Sequence, residues 1–363
     1  MTPEPSTIAN IVSPKLLTPP SSNRRKQGAK LHREIQRMAL PAARKLKRSL
    51  DEWFDMCYDA IVYGVRTQME MGLKPIKKGI NLFKAETPAS MVARLVDWGC
   101  LDARGIQYVR PTMLEYAVRG ANGAIKYTRF TGSFTIDNPA INRWASQHSA
   151  KLVREITRTM RANIRAAITT GVKGGHGVGE IASQIRNLDG FALTTRQVGY
   201  VDSYRKRLEL TRVWGRAVKE QSDLIQQHIG KLPGKVSPLS VNDLNEMHET
   251  LLGRGGKYRI PNTSKKAIDV RVNRYRNRKL RQRSITISRT ESINSLSEGT
   301  LQGWRAAGVG SVEFMASSDA CPVCSDLDGH VFRIEEASGI IAVHGNCRCT
   351  WLNRDQGTEA GSE

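Results

Sequence analysis

Acidic residues are scarce in this chain: 34 Asp and Glu stand against 56 Lys and Arg in 363 residues, a formal net charge of +22. A charge of that size attracts polyanions over a Debye length, which favours DNA, RNA or an acidic protein surface as partner. Long apolar runs are missing too. None approaches the ~20 residues of a membrane-spanning helix, which argues against a membrane protein. The opening "MTPEPSTIANIVSPKLLTPPSS" has an early Glu4, several prolines and no continuous apolar segment, so an export signal is not expected and the chain reads as cytoplasmic at synthesis. Aromatic residues are scarce among the basic residues between Lys265 and Arg289, Tyr275 being the exception, so stacking on single-stranded bases is not favoured. There are six cysteines, and in a reducing compartment clustered thiols point to metal rather than to disulfides.

The 39% of residues that are hydrophobic suffice for a core and for more than one domain. The expected class is mainly α: a multi-helix body with a small β-rich, zinc-stabilised module at the C-terminal end. Five segments are expected. Residues 1–48 form a disordered basic arm, 49–137 a helical region with a hairpin, and 138–310 a helical domain. Residues 311–355 form the Cys/His module and 356–363 a flexible tail.

The local signals behind these divisions differ in kind. Pro, Ser and Thr dominate 1–23, and "NRRKQGAKLHREIQRMALPAARKLKRS" comes next with Glu34 as its only acid. A helix is expected from Ser49, where Ser49 and Glu52 have capping-box spacing, and a second over 87–99. "IKYTRFTGSFTID" alternates like a strand or hairpin. From Asn138, Ile141, Trp144, His148, Leu152, Ile156, Met160, Ile164 and Ile168 recur at helical spacing. His148 on that face reads as a packed or hydrogen-bonded residue rather than a ligand. "GGHGVGEIASQIRNLDG" reads as a helix–turn–helix corner, and further helices fit 195–228 and 241–252. A last helix is expected from just after Ser264 to about Ala307. Its first half places Lys265, Lys266, Arg271, Arg274, Arg276, Arg278, Lys279, Arg281 and Arg283 on all faces, with Asp269 the only acid. These are the candidate contacts to duplex phosphates, independent of base sequence.

"DACPVCSDLDGHVFRIEEASGIIAVHGNCRCTW" holds four of the six cysteines. Cys321-x2-Cys324 is a tight knuckle of the kind found in structural zinc centres. Cys347-x-Cys349 turns both sulfurs to one side of an extended strand and Arg348 to the other. With His344 there are five candidate ligands for four tetrahedral positions, and His330 is a weaker sixth. Four protein ligands leave no open position, so such a site stabilises rather than hydrolyses. Asp328-Gly329 suits a hairpin turn between the halves. Cys57 and Cys100 stand apart and read as core residues. Enzyme patterns are incomplete. The only H-x-E is His32-Arg33-Glu34, in the basic arm, and "MHETLL" lacks the second histidine of H-E-x-x-H.

Ser288-Arg289-Thr290-Glu291, then Asn294, Trp304 and Gly308, then Asp319-x-Cys321-x-x-Cys324-x-x-Leu327-x-Gly329, then His344-x-x-Cys347-Arg348-Cys349 together resemble the signature of the phage head-morphogenesis family, minor head proteins of the Mu protein F type. "GHGVGEIASQIR" is similar to a further stretch of that family. The likeness covers roughly 140–352, with Ser288 in place of the usual alanine and Gly345 where proline is common. It implies a virion protein of the head and portal vertex, meeting portal, capsid and scaffold proteins and packaged DNA, with no catalysis. Arg289 and Glu291 would then form an internal ion pair. Two other classes remain open: an internal virion protein delivered to the host with the genome, and a zinc-supported nuclease or toxin.

Overall fold

The computed structural model describes residues 22–72, 96–174, 192–220 and 264–354. The elements are α1 (Ser22–Gly72), α2 (Trp98–Ile125), α3 (Pro139–Lys173), α4 (Thr195–Glu220), α5 (Lys265–Ala306), β1 (Ser311–Met315), α6 (Pro322–Leu327), β2 (Val331–Arg333) and β3 (Thr350–Asn353). The fold is mainly helical with a small C-terminal strand region. No helix of the described residues is long and apolar enough to cross a membrane.

The chain divides into two compact units, one of residues 1–185 with 282–363, the other of residues 186–281. The Cys/His module expected over 311–355 falls within the first of these units. One apolar cluster joins Leu31, Ile35 and Ala42 of α1 to Trp304 of α5 and to Phe314, Phe332 and Trp351 of the strands. The sheet, in order β2-β1-β3, is antiparallel throughout, with Val312 opposite both Phe332 and Asn353. Trp351, on the edge strand β3, stands edge-on to Phe314 and Phe332, and its indole N–H donates to Ser297 Oγ at 2.9 Å. Trp351→Ala is expected to destabilise this unit by about 3–5 kcal/mol, measured by denaturant unfolding.

α1 corrects the expectation of a disordered arm over 1–48, since its helix begins at Ser22. Beneath its dense charge, Leu31, Ile35, Ala42, Leu46, Leu50, Trp53, Cys57 and Ile61 form a buried stripe at three-, four- and seven-residue spacing. Ser49 lies inside this helix and its hydroxyl donates back to Lys45 O at 3.4 Å, so it caps nothing. Pro41 is tolerated because it sits on the exposed outer face, where water can satisfy the carbonyl it leaves unbonded.

The helix expected over 87–99 lies largely outside the described residues. The next element, α2, is capped by Asp97, whose side chain accepts from Cys100 N at 3.0 Å. Cys100 is exposed, contrary to the core role expected for it, whereas Cys57 is buried. The alternation over 125–137 forms no strand. The Asn122 side chain binds both the N–H and the carbonyl of Phe134, at 2.8 and 2.9 Å, and holds the segment as a loop. α3 follows its sequence pattern closely. Asn138 Oδ1 accepts from Ala140 N and Ile141 N at 3.1 Å, and Ile141, Ile156, Met160, Ile164 and Ile168 are buried.

α2 and α5 approach to backbone contact. A Cβ on Gly303 would lie 2.7 Å from Ala121 O, and one on Gly299 or Gly120 would overlap the carbonyl of Ala117 or Leu296. Such a crossing needs small residues on both helices, supplied by Ala117, Gly120, Ala121 and Ala124 on α2 and by Ser295, Gly299 and Gly303 on α5. Trp304 locks it, donating its indole N–H to Ala124 O at 3.2 Å.

In the smaller unit, Leu193, Val201 and Leu208 pack against Ile268 and Val272. Tyr204 stacks on Tyr275 at 4.5 Å, and Arg205 pairs with Asp269 at 2.7 Å. Ser264 caps α5 through Ala267 N, so this helix starts and ends within a residue or so of where the sequence places it. Residues 175–191 and 241–252, with their expected corner and helix, lie outside the described residues, as does the tail.

Candidate metal centre and basic surface

The two halves of the cysteine pattern meet. Cys321, Cys324 and His344 form one group of ligand atoms within 4.8 Å of one another, and Cys324, Cys347 and Cys349 form another. Cys324 belongs to both. Each half is placed by its local structure. Cys321 is the N-cap of α6, Pro322 takes the first turn, and Cys324 lies in the same turn, so the knuckle is a helix start. Cys347 and Cys349 lie on the extended run into β3, buried, while Arg348 points outward and pairs with Asp319. His330 joins neither group. The Asp328-Gly329 turn is real, with Gly329 at φ +77, but α6 precedes it, so β1 and β2 are not joined by a two-residue hairpin.

The arrangement fits a metal ion. Cys324 and Cys347 sulfurs lie 3.9 Å apart, close to the roughly 3.8 Å that a tetrahedral ion with 2.3 Å bonds to sulfur requires. Backbone N–H groups are aimed at the sulfurs, from Cys349 and Val343 to Cys347 and from Ser317 to Cys349. Such donors stabilise thiolate ligands. His344 Nδ1 donates to Gly345 O at 2.9 Å, which leaves Nε2 as its ligand atom. The proton inventory is uneven. The hydrogen bond from Cys349, helped by backbone N–H donors against the effect of burial, holds Cys347 down at about 5. Burial, then the neighbouring Cys347 charge, pushes Cys324 up to about 12. Cys349 is raised by its hydrogen bond to Cys347 and by burial. Binding of an ion would displace the protons of the two raised thiols.

The motif on α5 is wired to this site. Glu291 Oε2 meets His148 Nε2 at 2.6 Å and accepts from Asn294 Nδ2 at 3.1 Å, while Asn294 Oδ1 accepts from Ala342 N at 3.0 Å. Thr290 Oγ1 accepts from Asn346 N at 3.3 Å. His148, stacked on Trp144, is therefore the hydrogen-bonded residue expected. The Arg289–Glu291 ion pair is not formed. Glu291 turns inward to α3, and Arg289 is exposed at a 330 Å3 cleft with Gln36, Leu40, Ile293 and Asn346. Glu291→Ala should leave the His148 ring unpartnered and release the loop before His344. The expected loss is about 1–3 kcal/mol in thermal unfolding, accompanied by weaker metal retention.

The candidate phosphate contacts on α5 divide. Lys265, Lys266, Arg274, Arg278 and Arg281 are exposed, and Arg271 is half-buried. Arg276 donates to Asn273 Oδ1, and Lys279 lies over the rings of Tyr200 and Tyr275. Arg283 is inside the larger unit, where burial lowers it to about 10 despite nearby Glu155, so it is not a phosphate contact. The charges do not cover every face either, since Ile268, Val272 and Tyr275 form an apolar seam toward α4. That seam is three residues among nine cations, too faint to stand out in the sequence. The cleft at Arg289 and the glycine crossing of α2 and α5 were also missed. Only the second left a signal, the small residues Ser295, Gly299 and Gly303 at four-residue spacing.

Comparison with protein-family models, with curated protein sequences and with solved structures returned no match to this chain.

Proposed function

We propose that this chain is a minor head protein of a tailed bacteriophage. It acts at the portal vertex and inner capsid in procapsid assembly and in genome packaging or ejection, without catalysing a reaction. Its partners in this reading are the portal protein, capsid or scaffold proteins, and packaged double-stranded DNA. The observation that carries the reading is the convergence of the motif residues. Glu291, Asn294, Trp304, the four cysteines and His344 are spread over more than fifty positions, yet they belong to one hydrogen-bonded and packed unit. The ion is zinc, bound by Cys324, Cys347 and Cys349 with Cys321 or His344 as fourth ligand, and its role is structural.

Exposed Lys265, Lys266, Arg274, Arg278 and Arg281 supply the phosphate contacts. Replacing Arg274, Arg278 and Arg281 by Gln should reduce the salt slope of duplex binding by about 2–3, and unchanged binding would remove α5 from the DNA surface. Mass spectrometry of purified phage particles and of empty procapsids should find the chain in both, at few copies. Its absence from particles, or metal-dependent cleavage of DNA by the purified protein, would reject the reading.

A further inference from the structure

The outer face of α1 carries a charge pattern that the proposed function does not use. Lys26, Lys30, Arg33, Arg37, Arg44 and Arg48 are all exposed. Their spacing, in threes, fours and one seven, puts them on a single helical face. The stripe then changes sign, because Glu52, Asp55 and Asp59 are exposed on the same face one to three turns further on. The cationic part runs from Lys26 to Arg48, 23 residues and so roughly 33 Å at 1.5 Å rise per residue, about one turn of B-form duplex.

Lys30 lies over the Tyr127 ring at 5.7 Å and Arg33 Nε donates to Ala29 O at 3.2 Å, but three observations say that the charges of the stripe are not neutralised by acids of the protein. Among the described residues no ion pair involves any of the six, whereas Lys45 and Lys47, off the stripe, pair with Glu115 and Asp51. Glu34, the only acid between Ser22 and Leu50, accepts a hydrogen bond from the Tyr127 hydroxyl. Arg289, exposed and without an acidic partner among the described residues, opens onto the cleft with Gln36 and Leu40 and so widens the stripe at its middle.

We infer that this face of α1, together with Arg289, is a second polyanion-binding surface, which seats the phosphate backbone of a nucleic-acid duplex independently of α5. The chemistry favours this partner. Between Lys26 and Arg48 the only large apolar side chain exposed on the face is Leu40, at 49%, so the anchors of a protein interface are missing. A second copy of this chain would bring another +22 against the first. Evenly spaced guanidinium and ammonium groups on a rigid rod suit a linear array of phosphates. The acidic continuation repels phosphate and ends the footprint near Arg48. The surface goes beyond the head-protein reading and shares with it only the class of partner.

The test uses the full chain, a fluorescent 30-base-pair duplex and anisotropy titrations from 50 to 200 mM salt. R37Q/R44Q/R48Q should keep the circular dichroism and melting temperature of the parent. It should lower the salt slope by about 2–3 and weaken binding roughly tenfold at low salt, at about 0.9 for each phosphate no longer neutralised. R37K/R44K/R48K should retain the parent slope. An unchanged slope in the glutamine variant overturns the inference. So does a glutamine variant that loses self-association in sedimentation while binding duplex normally, which would make the stripe an interface between copies. R274Q/R278Q/R281Q, run in parallel, reads α5 separately, so either surface can fail while the other stands.

Discussion

Gly299→Val is expected to prevent the larger unit from folding. Its Cβ would overlap the carbonyl of Ala117, and that carbonyl belongs to α2, which also packs against α3 through Ala117, Ala121 and Ile141. Neither backbone can retreat without breaking ladders of hydrogen bonds, so the usual 1–3 kcal/mol for overpacking is a lower bound here. Alanine is the sharper test. In an exposed helix position Gly→Ala stabilises by about 1 kcal/mol through propensity alone. Gly199 on α4, where an added Cβ meets nothing within 4 Å, should show that gain. Gly299→Ala should instead lower the melting temperature by several degrees. A rise at Gly299 would mean that the crossing of α2 and α5 is looser than described.

The second large effect is expected at the thiol cluster. Cys324 belongs to both ligand groups, so Cys324→Ser should abolish binding of the ion, as should a strong chelator. The larger unit should then lose several kcal/mol, since an ion bound only by the folded state stabilises it by mass action. His344→Ala and Cys321→Ser should differ from each other, because only one of them supplies the fourth ligand. Cobalt substitution reads this directly through the thiolate charge-transfer bands, stronger for four sulfurs than for three. The sign of the pH dependence is set by the protons. Cys324, raised to about 12, and Cys349, also raised, must each release one on binding, so affinity should climb with pH through neutrality. Cys347, held near 5, contributes to that climb only below about pH 6. Titrations at pH 6 and pH 8 in buffers of different ionisation enthalpy would count the protons. Equal affinity at the two pH values would contradict the assignment.

How far the sequence could be read depended on how each element signals itself. α3 was legible because one face is aliphatic from Ile141 to Ile168, and α5 was legible at its ends because Ser264 caps it and Gly308 lies just beyond it. The cysteine halves were legible because knuckle and strand geometry are local properties of two or three residues. α2 was not, since Gly105, Pro111, Gly120 and Gly123 depress every helix signal while serving a close crossing that only the partner helix explains. The first turns of α1 read as a disordered arm because charge density hides a buried stripe of only a few aliphatic residues. The Glu291–His148 contact joins positions 143 apart, and no local pattern encodes that choice over the adjacent Arg289.

β3 closes the same apolar cluster that Leu31 and Ile35 of α1 open. Residues 1–185 and 282–363 are therefore one cooperative structure, with residues 186–281 spliced into the chain between them as a separate unit. On the ribosome this imposes a waiting period. At about 5–20 residues per second, α1 emerges many seconds before the strand that covers it. During that interval its greasy side needs shelter, while the inserted unit has all of its own sequence and can mature first.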